Sequence, residues 1–324
     1  MAYNETRNAV VQVGKEAVAS GTEAAAFSTV EINGSDAATV ISPDLAFVEA
    51  TILRPDFDQR PGTPGRAKSM INIPSYATVP PAKATPAPTP VNGILLYGAG
   101  LAETTVAGAT TSAWTPTAAA GDQSISVRNF TDGIKTTSLG VRGGFSMDMS
   151  AGNYPTFTFT GEGNYANPET VAVPSVSYPD EVLHQVETAG MTIGGTSGLV
   201  IRSFNFDWSV TQTDRLDINS ANGYKGTGVT AKAGRVSAVV EFQETVTWSP
   251  EALLLAGSTH VVSLEIGDLN AGSTLGSSIK FNAPAAQIQS VSRSADSGAM
   301  VASIDFLCTG GTPFTLTFSS GDIA

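Results

Sequence analysis

The sequence predicts an all-β protein built as two tandem β-sandwich or barrel domains, each flanked by one short helix. Three observations predict it. From about residue 28 apolar and polar residues alternate with a period of two through most of the chain. Within that alternating region helix signatures are confined to two short stretches. The order of features around the first helix returns around the second, about 159 positions later.

Residues 1–27 read as a leading segment; the Ala-rich stretch 8–26 is expected to hold a helical turn, weakened by Gly14 and Gly21. Alternating runs follow at 27–33, 46–53, 69–73, 124–127, 144–149, 156–160, 199–210, 236–248, 260–266, 278–281, 287–291, 301–308 and 314–318. Val, Ile, Phe and Thr enrich several of these runs, and such side chains fit a pleated, half-buried surface. Gly, Asn, Asp and Pro punctuate them.

Two stretches break the alternation. In 249–257, Ser249 is a good N-cap, Pro250 sits at the first helical position, Glu251 favours the positive end of the dipole and Gly257 ends the helix. In 89–98, Pro90 opens an apolar run that Gly98 and Gly100 close, with Gly93 a weakness inside. The Pro-rich stretch 74–90 is read as an extended spacer leading into that helix.

The repeat is read as follows. A Gly- and Pro-rich loop (54–65), Arg66 and a strand precede the first helix; a loop (214–234), Arg235 and a strand precede the second. Corresponding positions lie 169 apart from Arg66 to Arg235, 159 from Leu95 to Leu254, 154 from Ser124 to Ser278 and 159 from Phe159 to Phe318. Two copies of one unit give the division 1–27, 28–190 and 191–324. Identity between the copies is low, so chance similarity is the competing explanation.

Charged residues make up 14% of the 324, against about 25% for ordinary globular chains. A neutral, hydroxyl-rich surface of this kind suits burial against copies of itself. The net charge is −12, and Lys and Arg are too scattered to build a groove that grips phosphates. A single cysteine, Cys308, allows no internal disulfide and reads as a small buried hydrophobe. The first seven residues lack the apolar run of a secretory signal, and no stretch reaches the roughly 18 apolar residues of a membrane span, so assembly in the cytoplasm is expected.

A search for chemistry finds no motif. His184 and His260 stand far apart with no ligand pattern around either. Gly194–Gly198 reads as a turn, and Gly223–Gly228 as a hairpin tip without the spacing of a phosphate loop. The pairs Asp56/Asp58 and Glu241/Glu244 could serve a glycosidase, yet nothing singles one out. Trp208 shares a strand face with Phe204 and Phe206 and reads as core; a carbohydrate platform is the alternative for the three tryptophans. No catalytic, cofactor or metal site is assigned, and the chain is not expected to be an enzyme.

Certain features in order carry a resemblance: the opening Gly14–Ala25; the loop Arg54-Pro-Asp-Phe-Asp-Gln-Arg-Pro-Gly-Thr-Pro-Gly65; a strand and a Pro-rich lead; the run Ile94-Leu-Leu-Tyr-Gly-Ala-Gly-Leu101; and Thr156-Phe-Thr-Phe-Thr-Gly-Glu-Gly163. In these the chain resembles the tail tube proteins of long-tailed bacteriophages, over most of 10–165 and, through the repeat, 200–320. The resemblance implies a virion protein whose subunits join edge to edge into rings that stack into a hollow tube carrying DNA. Its partners would be copies of itself and other tail proteins, and its place the virion tail. Such tubes carry six barrels per ring, so a duplicated chain would form homotrimeric, pseudo-hexameric rings. A homohexamer with one tube domain and an appended immunoglobulin-like domain is the alternative. A fibre or adhesin module and a carbohydrate-active β-protein are the other readings. The acidic, lysine-poor composition agrees with a wall that DNA must not stick to. Loops 54–65 and 214–234 are expected to reach the neighbouring ring.

Overall fold

A computed structural model describes residues 9–17, 21–33, 39–49, 62–79, 91–105, 111–117, 123–176, 178, 181, 183–187, 190–220, 223–241, 248–267, 277–296 and 298–320. The strands among them are β1 (Ala9–Lys15), β2 (Ser28–Val30), β3 (Ile41–Val48), β4 (Thr63–Tyr76), β5 (Leu101–Thr105), β6 (Thr111–Pro116), β7 (Ile125–Thr131), β8 (Ile134–Ser150), β9 (Thr156–Thr170), β10 (Gly190–Ile193), β11 (Ile201–Leu216), β12 (Tyr224–Glu241), β13 (Thr259–Gly267), β14 (Ser277–Asp296), β15 (Ala299–Cys308) and β16 (Thr315–Ser320). The helices are α1 (Val91–Gly98) and α2 (Pro250–Ala256).

Both expected helices are present. At α2 the side chain of Ser249 accepts the amide N–H of Ala252 at 3.3 Å, Pro250 opens the first turn, and Gly257 closes the helix at φ 62°. That left-handed geometry suits a residue without Cβ.

The strands form one antiparallel sheet, and the order of pairing repeats along the chain. In the first half neighbours run β3-β4-β9-β8-β7-β1; in the second they run β11-β12-β15-β14-β13-β10. Each path has a hairpin before its helix and two hairpins after it. By pairing, β7, β8 and β9 correspond to β13, β14 and β15. The sequence offsets had matched them one strand later, to β14, β15 and β16. Alternation looks the same in neighbouring strands, so residue offsets cannot fix which strand matches which.

Several expectations change. Among the described residues the leading segment holds no helical turn, and part of it is β1, whose Val11 and Val13 are fully buried and whose length pairs with β7; residues 8 and 18–20 lie outside the described residues. Consecutive β-branched residues override the alanines around them. The runs 278–281 and 287–291 belong to one strand, β14, which carries a bulge between Ile288 and Ser290. β5, β6 and β10 were not foreseen: each is short. The stretch 214–234 is no open loop: it holds the end of β11, a turn, and the first half of β12. Of the loop 54–65, residues 62–65 are described, three of them in β4; residues 54–61 lie outside the described residues.

Sheet and core both run across the position between 190 and 191. β8 pairs with β11 through Phe145–Ser150 and Ser203–Trp208, and β16 pairs with β6 as well as β14. One apolar cluster contains Phe145 and Phe157 from the first half and Phe204, Phe206, Trp208, Phe281 and Phe314 from the second. The ring of Phe206 lies 5.6 Å from Phe145, 4.7 Å from Phe281 and 4.7 Å from Phe314, centre to centre.

Candidate assembly surfaces

The internal joint between the two halves has three parts. Backbone pairing of β8 with β11 is one part of it. Its close fit depends on Gly144: a Cβ there would stand 2.2 Å from the carbonyl oxygen of Trp208. The second part is Trp208 itself, whose indole Nε1 donates to the carbonyl of Ala99, at the end of α1, at 3.0 Å. The third is an arm. The far end of the β11–β12 hairpin lies back over the first half: Gln212 donates to the carbonyl of Arg142, and Arg142 donates to the carbonyl of Thr227 at 2.5 Å. Asp214 on this arm pairs with Arg66 and Lys68 of β4, and Lys68 also meets Glu162 at 2.5 Å. Burial would lower the Lys68 pKa, but the hydrogen bonds and charges of Glu162 and Asp214 outweigh it and hold the ammonium above its usual range.

The face of the sheet away from the core is polar. Registered neighbours across β8, β11, β12 and β15 place Asp148, Asn205, Ser237 and Asp305 in one row, and Ser146, Asp207 and Arg235 in the next. In this central band the outward charged side chains are Asp148, Asp207, Asp305 and Arg235, so carboxylates outnumber cations. Asp305 accepts from Ser290 at 2.6 Å and from Ser237 at 2.7 Å, and those hydrogen bonds hold its carboxyl below the usual range. Burial pushes Asp207 the other way, although Arg235 beside it opposes the shift. A cleft of about 400 Å³ on this face is lined by Met70, Thr160, Glu162, Asp207 and Gln212 among others.

The residues weighed for chemistry remain apart. His184 Nε2 lies 2.6 Å from Ser277 Oγ, and His260 Nε2 lies 2.9 Å from Ser258 Oγ. Among the described residues no three His, Cys, Asp or Glu side chains are grouped as metal ligands would be. Glu241 pairs with Arg202 at 3.0 Å, while Glu244, Asp56 and Asp58 lie outside the described residues. Trp114, Trp208 and Trp248 are all buried, which leaves none as an open sugar platform. Cys308 is buried, which pushes its thiol up to about 12. Gly194 lies in the turn after β10, as its sequence context predicts; of the expected hairpin tip Gly223–Gly228, Gly223 ends the turn and Tyr224–Gly228 already belong to β12. No described helix is long and apolar enough to cross a membrane.

Sequence reasoning missed the joint. Gly144 and Ala99 carry no chemical signature, and their importance comes from strands and helices distant in the chain. No protein-family description matches the chain, and no curated protein sequence matches it.

Proposed function

We propose that this chain is a structural protein that assembles with copies of itself into stacked rings forming a hollow tube for DNA, the tail tube of a long-tailed phage. The observation that carries this reading is the repeated strand order, with the two copies already joined edge to edge through β8 and β11. A unit that joins its like inside one chain has the edge geometry to continue the series between chains. The series closes into a ring if each step is a rotation about one axis.

In this reading the two tandem units are tube domains, three chains supply six of them, and the ring has pseudo-sixfold symmetry. The polar face carrying Asp148, Asp207 and Asp305 lines the pore, where like charge keeps DNA from adhering. Covalent linkage of two units raises the effective concentration of one for the other. The hexamer with an appended immunoglobulin-like domain is disfavoured by α2, which has no place in an immunoglobulin sandwich, and by the shared strand order. Location in the virion tail and contacts with other tail proteins belong to the same proposal.

Electron microscopy of the purified full-length chain tests it. Rings or tubes with three chains per ring, each spanning two equivalent units, are expected. Six chains per ring would refute the duplication, and a protein that stays monomeric at high concentration would refute the tube.

A further inference from the structure

We infer that the joint between chains pairs the outer edge of β3 in one copy with the outer edge of the second part of β14 in the next, repeating the β8·β11 joint. This rests on the assembly reading above and assigns it an interface. By strand order β3 corresponds to β11, and β14 to β8.

Each half of the internal joint has a counterpart that lacks its partner among the described residues. β11 is paired on both sides, to β12 and β8, whereas β3 is paired to β4 alone. β8 holds β7 and then β11 along one side. β14 holds β13 along that same side only as far as Gln287, and from there to Asp296 the one strand in register with it among the described residues is β15.

Exposed apolar surface marks both places. Leu45, Phe47 and Val48 at the end of β3 are 60%, 59% and 58% exposed. An open, apolar edge strand invites pairing with another chain, and soluble proteins normally blunt such edges. The helices tell the same story. Leu95 and Leu96 of α1 are fully buried, yet Leu255 of α2, from the matching Leu-Leu run, is 87% exposed. α2 lies along the same stretch of β14, with Gln287 donating to the carbonyl of Gly257 at 3.1 Å and Arg293 meeting Glu251 at 2.5 Å. In the first half the corresponding helix end receives Trp208 from β11. A second copy arriving by its β3 edge would therefore meet a strand edge and a helix end together, as β11 does within the chain.

Cysteine cross-linking tests the joint. Ala46 and Val48 of β3, and Ser292 and Ser294 of β14, are replaced by cysteine in all four β3–β14 pairings, each in the full-length chain. The native Cys308 is buried with its thiol pushed up to about 12, so it remains unreactive at the pH of mild oxidation. At least one pairing is expected to convert the monomer band on a non-reducing gel to dimer and closed trimer, reversibly with dithiothreitol. The four single-site variants should run as the monomer band on the same denaturing gel. Rings seen by electron microscopy with no cross-link in any pairing would overturn the joint and leave the tube reading standing. Cross-linked species that never form rings would keep the joint and refute the tube. Neither cross-links nor rings would refute both.

Discussion

Replacing Phe206 with Ala should destabilise the whole chain in a single transition. Phe206 is fully buried between Phe145 of the first half and Phe281 and Phe314 of the second. Truncation removes its ring and leaves a cavity whose walls belong to both halves. Phe→Ala changes of this kind cost about 3–5 kcal/mol, transfer and cavity effects together. The ring-to-ring contacts are part of that loss and are not added to it. With an m-value of about 3 kcal/mol/M in urea, the midpoint should fall by roughly 1–1.7 M. The assay is equilibrium urea unfolding followed by tryptophan fluorescence and far-ultraviolet circular dichroism. Trp114 and Trp208 report from opposite sides of the joint. Coincident curves that shift together are expected. Two separated transitions, with only one displaced by Phe206→Ala, would refute the shared core; so would a loss below about 1 kcal/mol, the centre of the range for ordinary point mutants.

Other outcomes follow from the same contacts. Gly144→Ala should prevent close pairing of β8 and β11, because its Cβ would stand 2.2 Å from a backbone oxygen; a loss of protection at Phe204–Trp208 amides in hydrogen exchange would register it. The buried carboxylate of Glu16 accepts from Ser124 and Ser126 at 2.6 and 2.7 Å and from the amide of Gly140 at 2.7 Å. Glu16→Ala removes the acceptor that these buried donors share and should cost about 2–5 kcal/mol by urea unfolding. Ser249→Ala removes the α2 cap and should cost about 1 kcal/mol, measured the same way. Asp305 and Asp207 should respond oppositely to pH. The depressed pKa of Asp305 gives stability that is full above the ordinary value of 3.8 and lost as pH falls through the lower folded value, so Asp305→Asn should destabilise at pH 7 and not in strong acid. The raised pKa of Asp207 makes its charge a penalty above the folded value, so Asp207→Asn should stabilise at pH 7, the gain vanishing as pH falls to about 3.8.

The sequence by itself determined the β character, both helices and their ends, because these depend on neighbours a few positions apart. Alternation put Phe204, Phe206 and Trp208 on one face, and Ser249, Pro250 and Gly257 marked α2 through capping and backbone preference. The offsets around Leu95 and Leu254 matched the two helices but aligned the strands after them one strand late. Tertiary structure alone decided the order in which the strands pair, that β1 belongs to the sheet, and that the stretch after Asp214 is a paired arm held by Arg66 and Lys68. It alone separated Leu96 from Leu255, alike in sequence and opposite in burial. Hydrogen-bond pairing and burial join residues a hundred or more positions apart, as Trp208 joins Ala99, and period-two alternation carries no label for the partner strand.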